Sequence, residues 1–258
     1  MQDSVPPLQR EELFEGQLWR VRLQRPPGNI LDRELIPALL KLVQEAQGAA
    51  HLRLVSLEGS ADHFSFGASV QEHLPESCEQ MLAQMGELLQ AVLDSDVSIH
   101  AIVHGRCLGG GLELASACHR IYAHPTASFG QPEIRLGVVA PFAAILLPER
   151  LRRAEVIDLC LSGRSIDGAR AAQLGLVDQL AEDPWSAAVE YLEQHLAPHS
   201  ASSLRHAVHA TQNDLRKRFR EQSPLQCEHY LANLMGTRDA KEGLQAFLEK
   251  RPPRWTDH

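Results

Sequence analysis

The chain has 258 residues, 44% of them apolar and 22% charged, and its 25 Lys and Arg against 33 Asp and Glu leave a net charge of −8. That length fits one large domain, with or without a small appendage, and the apolar share is ample for a buried core and excludes a disordered chain. Nucleic acid and an anionic membrane both need a basic footprint that this balance lacks, whereas an anionic substrate needs only a local basic patch.

The N-terminal MQDSVPPLQREELFEGQ holds no apolar run of signal-peptide length. No stretch reaches the roughly 18 consecutive apolar residues of a membrane span, so a cytoplasmic protein without a membrane partner is expected. Leu18–Leu23 alternates apolar and polar residues and reads as a strand. RPPGN (Arg25–Asn29) is turn chemistry. Asp32 can cap a helix over Arg33–Gln47, with Leu35, Leu39, Leu42 and Ala46 near one face and Pro37 close to the first turn, where proline does least harm. His51–Leu57 reads as a second strand ending at Gly59. A helix beginning at Pro75 or Glu76 carries Met81, Leu82, Met85, Leu88, Leu89 and Val92 at helical spacing.

Val97–Val103 is a third strand, followed by a glycine-rich turn and a helix over Gly110–Cys118. Ile121–Ala123 and Leu176–Leu180 are further strands, the second preceded by a helix over Ile166–Leu174. From Pro184 the pattern is helical, with breaks near Pro198, Pro224 and Gly236. Strands alternating with helices, then a run of helices, predict an α/β fold with its core over residues 1–183 and a helical C-terminal region over 184–258. A helical tail with little core of its own often packs on a neighbouring subunit, so a homo-oligomer is expected. The five cysteines form no CxxC pair and no zinc spacing, and they read as reduced core thiols.

Three segments carry the chemistry. In HGRCLGGGLELA (His104–Ala115), three glycines follow a strand and open a helix, where free N–H groups meet developing negative charge, and Glu113 falls in the first turn. The GxGxxG spacing of a dinucleotide site is absent. In FSFGAS (Phe64–Ser69), Gly67 and Ala68 are small enough for backbone N–H groups to face a ligand. In SFGQPEIRLG (Ser128–Gly137), Pro132 restrains Gln131 and fixes the turn that bears Glu133. Alone, the segments bearing Glu113 and Glu133 also fit ordinary turns with solvated acids, and FSFGAS fits an ordinary loop. His104 and Cys107 lie three apart near the glycine turn, a weak basis for a nucleophile.

Together, in this order and with the two glutamates 20 residues apart, the segments resemble the enoyl-CoA hydratase/isomerase (crotonase) family. RPPGNILD near the start and EGLQAFLEKR (Glu242–Arg251) extend the resemblance over nearly the whole chain. It implies a spiral of ββα units and an acyl-CoA substrate, with no metal and no cofactor beyond the substrate's coenzyme A. It further implies a trimeric or hexameric homo-oligomer. Carried over residue by residue, Glu113 and Glu133 are the acid/base pair and Ala68 and Gly110 the N–H donors to the thioester oxygen. Phe247 and Lys250 contact coenzyme A by the same resemblance, often from a neighbouring subunit, while Gly67, small enough to border a ligand, and Phe142, in the segment that departs from the family, are candidate substrate-binding residues on their own chemistry.

The chain departs from the family where GVVAPFAAILLPER (Gly137–Arg150) replaces the usual glycine-rich turn after the second glutamate, and where Ser69 stands in place of an acid. Phe142 is then expected to line the site or pack behind it. FSFGAS, QPEIRLGVVAP and LLPER are similar to the family's cyclohexa-1,5-diene-1-carbonyl-CoA hydratases, which implies 1,4-hydration of a cyclic dienoyl-CoA in aromatic degradation. The alternatives are an ordinary 2-enoyl-CoA hydratase, an enoyl-CoA isomerase, or a non-catalytic RNA-binding member. The retained glutamate pair and the net charge of −8 favour hydration.

Overall fold

Parallel strands joined by helical crossovers organise the chain. The computed structural model describes residues 6–60 and 62–258. A six-stranded sheet runs in the order β1 (Leu8–Leu13), β2 (Leu18–Leu23), β3 (Leu54–Gly59), β4 (Ser98–Val103), β6 (Arg120–Ala123) and β9 (Gln179–Leu180). β1 pairs antiparallel with β2, and every other pairing in this sheet is parallel. A second sheet holds β5 (Arg106–Leu108), β7 (Ser128–Gly130) and β8 (Ser165–Asp167), in the order β5-β7-β8.

Parallel neighbours need a crossover. Here α1 (Leu35–Gly48) connects β2 to β3, and α2 (Cys78–Asp94) connects β3 to β4. After β4 the chain places β5 in the small sheet and then α3 (Gly110–Ala117) before returning as β6. Ser65 bridges Cys107 in the same parallel sense, so the segment after β3 imitates β5. Each turn of the spiral thus lays one strand in the large sheet, a short one in the small sheet, and a helix. This is the predicted ββα superhelix.

The predicted elements hold with shifted ends. Asp32 Oδ1 accepts from the N–H groups of Glu34 at 3.0 Å and Leu35 at 2.9 Å, capping α1 as expected. The six apolar residues assigned to α2 are all buried. β1 has no apolar alternation because it is a largely exposed edge strand (LQREEL), and charges on such an edge oppose further pairing. β5, β7 and β8 have three residues each, too few for a periodic signal.

After β7 come the short α4 (Ala143–Leu146), α5 (Arg153–Ser162) and α6 (Gly168–Leu174). The tail holds α7 (Pro184–Tyr191), α8 (Ala201–His229) and α9 (Arg238–Leu248). The break expected near Pro224 is corrected, because Pro224 lies inside α8. An interior proline costs about 3 kcal/mol, and tertiary anchoring outweighs it. Buried Arg216 donates to the Ser95 carbonyl at 2.7 Å and to Asp96 at 2.9 Å, while Phe219 is fully buried. Phe219, Tyr230, Met235, Ala240 and Leu244 join the main hydrophobic core. The helical tail therefore contributes side chains to the core of its own chain. No helix of the described residues is long and apolar enough to cross a membrane.

Candidate active site

The small sheet ends at the glycine turn. Gly109 donates its N–H to the Gly130 carbonyl at 3.0 Å, which fixes the end of β5 beside the end of β7. Gly109 has φ 53° and ψ −128°, a region closed to other residues, and a Cβ there would strike Glu133 Oε1. Gly110 then opens α3, and a residue at that position has no intrahelical acceptor for its N–H.

The loop after β3 brings a second unengaged N–H beside it. In the parallel bridge between Leu31 and Ala68, Leu31 donates to the Gly67 carbonyl and accepts from Ser69, each at 3.0 Å. Both ladder bonds use the neighbours of Ala68, so its own N–H points to the opposite side. Gly67, at φ 105°, makes the approach possible: a Cβ on it would lie 2.9 Å from the Leu108 carbonyl and 3.1 Å from Gly110 N. A Cβ on Gly110 would in turn lie 3.1 Å from Ala68 N. The two N–H groups are thus neighbours, and among the described residues neither donates a hydrogen bond to a protein acceptor.

Glu113 is 4% exposed, which sets aside the solvated-acid reading. Its Oε1 accepts from Phe142 N–H at 3.0 Å and Ala143 N–H at 2.8 Å. Burial pushes its pKa up to about 7, against the pull of those two donors. Glu133 stands in the first turn of a 3₁₀ helix, Pro132–Leu136, whose leading proline agrees with the predicted fixed turn. Burial of its carboxyl, and then the charge of Glu113, push it up to about 8. Gln131, 1% exposed, satisfies its surroundings with its amide nitrogen turned to Glu133, reaching Oε1 at 3.2 Å and Oε2 at 3.0 Å.

Gly67, Ala68, Gly110, Glu113, Glu133 and Phe142 all line one open cleft of about 580 Å³. The Phe142 ring both lines it and packs behind it, 1% exposed, with its centroid 5.8 Å from that of Phe219. Phe247 and Lys250 are not on the cleft wall. Phe247 is 54% exposed near the end of α9, and Lys250 follows at φ 54°. α9 packs on the 3₁₀ helix that bears Glu133, closely enough that a Cβ on Gly243 would strike the Leu136 carbonyl. The Trp255 ring seals this contact, lying 2.9 Å from that Cβ position and 3.1 Å from the corresponding one on Gly137.

Two residues near the glutamates carry no role in the sequence reading. Gln131, two residues before Glu133, reads from the sequence only as backbone and stands against Glu133 without lining the cleft. His73 does line the cleft. Its Nδ1 sits 2.8 Å from the Ser69 carbonyl, so Nδ1 carries the proton and Nε2 is left as an acceptor. Burial lowers its pKa and keeps it neutral. Its only sequence signal is its place one short turn beyond FSFGAS. Cys107 is fully buried with its thiol pushed well up in pKa, which removes it as a nucleophile. Among the described residues, no three His, Cys, Asp or Glu side chains gather as a metal-binding group.

A sequence profile described as enoyl-CoA hydratase/isomerase matches residues 14–258. The chain is 48% identical over 255 residues to a cyclohexa-1,5-dienecarbonyl-CoA hydratase of Thauera aromatica, covering 99% of both chains. It is 31% identical over 246 residues to a probable enoyl-CoA hydratase of Bacillus subtilis, covering 90% of this chain and 93% of the other. The crystal structure of an enoyl-CoA hydratase from Mycobacterium avium shares the fold at a TM-score of 0.86 and 27% identity, covering 97% of this chain and 99% of that one. Fold, profile and relatives agree along the chain: it belongs to the enoyl-CoA hydratase/isomerase (crotonase) family.

Proposed function

We propose that this protein, a hydro-lyase of that family, adds water in a 1,4 sense to cyclohexa-1,5-diene-1-carbonyl-CoA. The observation that carries the chemistry is the pair of unengaged N–H groups, Ala68 and Gly110, in one cleft with the buried Glu113 and the partly buried Glu133, both carboxyls pushed up in pKa by desolvation. The substrate rests on the 48% identical relative of that activity, matched from end to end.

The thioester oxygen sits on the Ala68 and Gly110 N–H groups. Glu113, whose carboxylate is held by two backbone N–H groups, takes a proton from water. The water oxygen bonds to the ring carbon β to the carbonyl, and the electrons move into a dienolate shared by the thioester oxygen and the far end of the diene. The two N–H donors stabilise that oxyanion where it forms, each contributing about 3–4 kcal/mol to lowering the barrier. Glu133, kept protonated by burial and by the neighbouring charge, delivers its proton to the far carbon. The remaining double bond then lies between the two new substituents. The protein groups and the substrate's own coenzyme A suffice for these steps.

Phe247 and Lys250, exposed beside the 3₁₀ helix of Glu133, take the nucleotide end of coenzyme A in this reading. A trimeric or hexameric assembly in the cytoplasm completes it. An ordinary 2-enoyl-CoA hydratase is the second reading, favoured by the Bacillus subtilis relative. The test is incubation with cyclohexa-1,5-diene-1-carbonyl-CoA and with crotonyl-CoA, following chromophore loss and product mass. Turnover of crotonyl-CoA with none of the cyclic diene selects the second reading.

A further inference from the structure

On the far side of the cleft wall lies an open surface groove between α2 and α8, lined by Leu82, Ala83, Gly86, Phe142, Cys227 and Leu231 among others. Leu82 and Phe142 line both spaces. They are 3% and 1% exposed, so two apolar side chains form the partition. The partition has a built seat. Gly86 lies in the middle of the 17-residue α2, where glycine weakens a helix relative to alanine. A Cβ there would lie 3.3 Å from Phe142 Cζ and 3.4 Å from Cε1. The missing side chain is what lets the ring settle against the α2 backbone, with Phe219 of α8 against it.

Phe142 also adjoins the chemistry, since its backbone N–H holds Glu113 Oε1. An acyl group whose reacting carbons lie between the two glutamates therefore has this ring within reach. We infer that Phe142, seated on Gly86, is the specificity-determining residue that ends the acyl pocket: it admits a compact ring and bars an extended chain from the groove beyond. This rests on the acyl-CoA reading above and names what sets its substrate class. The backbone and side-chain roles are separable, because substitution at position 142 leaves the N–H to Glu113 in place.

The test combines binding with turnover in the full-length wild type, Phe142→Ala and Phe142→Leu. Binding of butyryl-CoA and decanoyl-CoA is measured by calorimetry, and kcat/KM is measured with the cyclic dienoyl-CoA and with trans-2-decenoyl-CoA. Removing the ring joins the cleft to the groove, and six added methylenes gain apolar contact. The affinity ratio of decanoyl-CoA to butyryl-CoA should rise roughly tenfold or more in Phe142→Ala and less in Phe142→Leu. The kcat/KM ratio of decenoyl-CoA to cyclic dienoyl-CoA should rise with it. Phe142→Leu, which retains most of the apolar volume, decides the matter if the alanine variant does not fold. An unchanged ratio in a folded variant, or a wild type that already takes decanoyl-CoA as well as the variants do, overturns the inference alone. A wild type that binds no acyl-CoA overturns it together with the proposed function.

Discussion

Phe142 holds Glu113 through its backbone, N–H to Oε1 at 3.0 Å, while the same residue forms part of the cleft wall. The Ala143 N–H at 2.8 Å reaches the same oxygen, so Glu113 is oriented by backbone that no side-chain substitution deletes, proline excepted. Glu133 has no such pair of backbone donors; the Gln131 side-chain amide faces it instead, and its nearby charge is another carboxylate. That asymmetry motivates the division of labour between them.

Glu113→Gln and Glu133→Gln should each lower kcat by roughly 10²-fold or more, the usual scale for a lost acid or base. A glutamine oxygen at position 113 still accepts from Phe142 and Ala143, so folding is retained. Steady-state turnover with a thermal melt checks this. Full activity at unchanged melting temperature would remove that residue from the mechanism.

The pH dependence follows from the two raised pKa values, about 7 for Glu113 and about 8 for Glu133. The pair releases its protons in two steps, and the working form has lost one. A plot of kcat/KM should be bell-shaped, rising through about 7 and falling through about 8. Stability follows the same groups. The folded state holds protons that the unfolded chain releases in the ordinary carboxyl range, so their contribution is intact below that range and is lost as pH rises through 7 to 8. A Glu113→Gln/Glu133→Gln double variant lacks this loss and should melt roughly 5 °C or more above wild type at pH 9. Parallel melting curves from pH 5 to 9 would refute it.

Gly110→Pro removes one N–H from the cleft. Proline suits the first position of a helix, which Gly110 occupies in α3. The fold should survive, with local crowding at Ala68 N, and kcat should fall by roughly 10²–10³-fold. Circular dichroism beside turnover separates the outcomes, and a folded variant with wild-type kcat would exclude Gly110 as a donor.

Lys250→Ala should raise KM for the coenzyme A ester while kcat stays near wild type. Its proposed partner is remote from the reacting carbons, and such uniform binding energy affects KM alone. An unaltered KM would make Lys250 a solvated surface charge.

Much of the spiral was legible because its large strands and helices are long enough to show their period: Leu18–Leu23 matches β2, and α2 buries all six residues assigned to it. The small sheet was not legible, since three-residue strands such as β5 and β7 have no period of their own. At the site, the order and spacing of Ala68, Gly110, Glu113 and Glu133 anticipated a shared cleft. Gln131 and His73 were missed because each acts through geometry: an amide turned to a carboxylate, and a ring whose tautomer is set by a carbonyl. Pro224 misled because a local helix breaker was judged without the long-range anchors at Arg216 and Phe219.

The seat of Glu133 has a consequence for biosynthesis. Its 3₁₀ helix is backed by Gly243 and Trp255, more than a hundred residues further along the chain. Contacts so distant in sequence close late, after the loop between them has been ordered. A nascent chain on the ribosome could complete the strands through β6 and bring Phe142 to Glu113 while the Glu133 turn still lacked its backing. Glu133 would then reach its final position only when the tail docks, so that a half-made chain has the paired Ala68 and Gly110 N–H groups but not the second carboxyl in place.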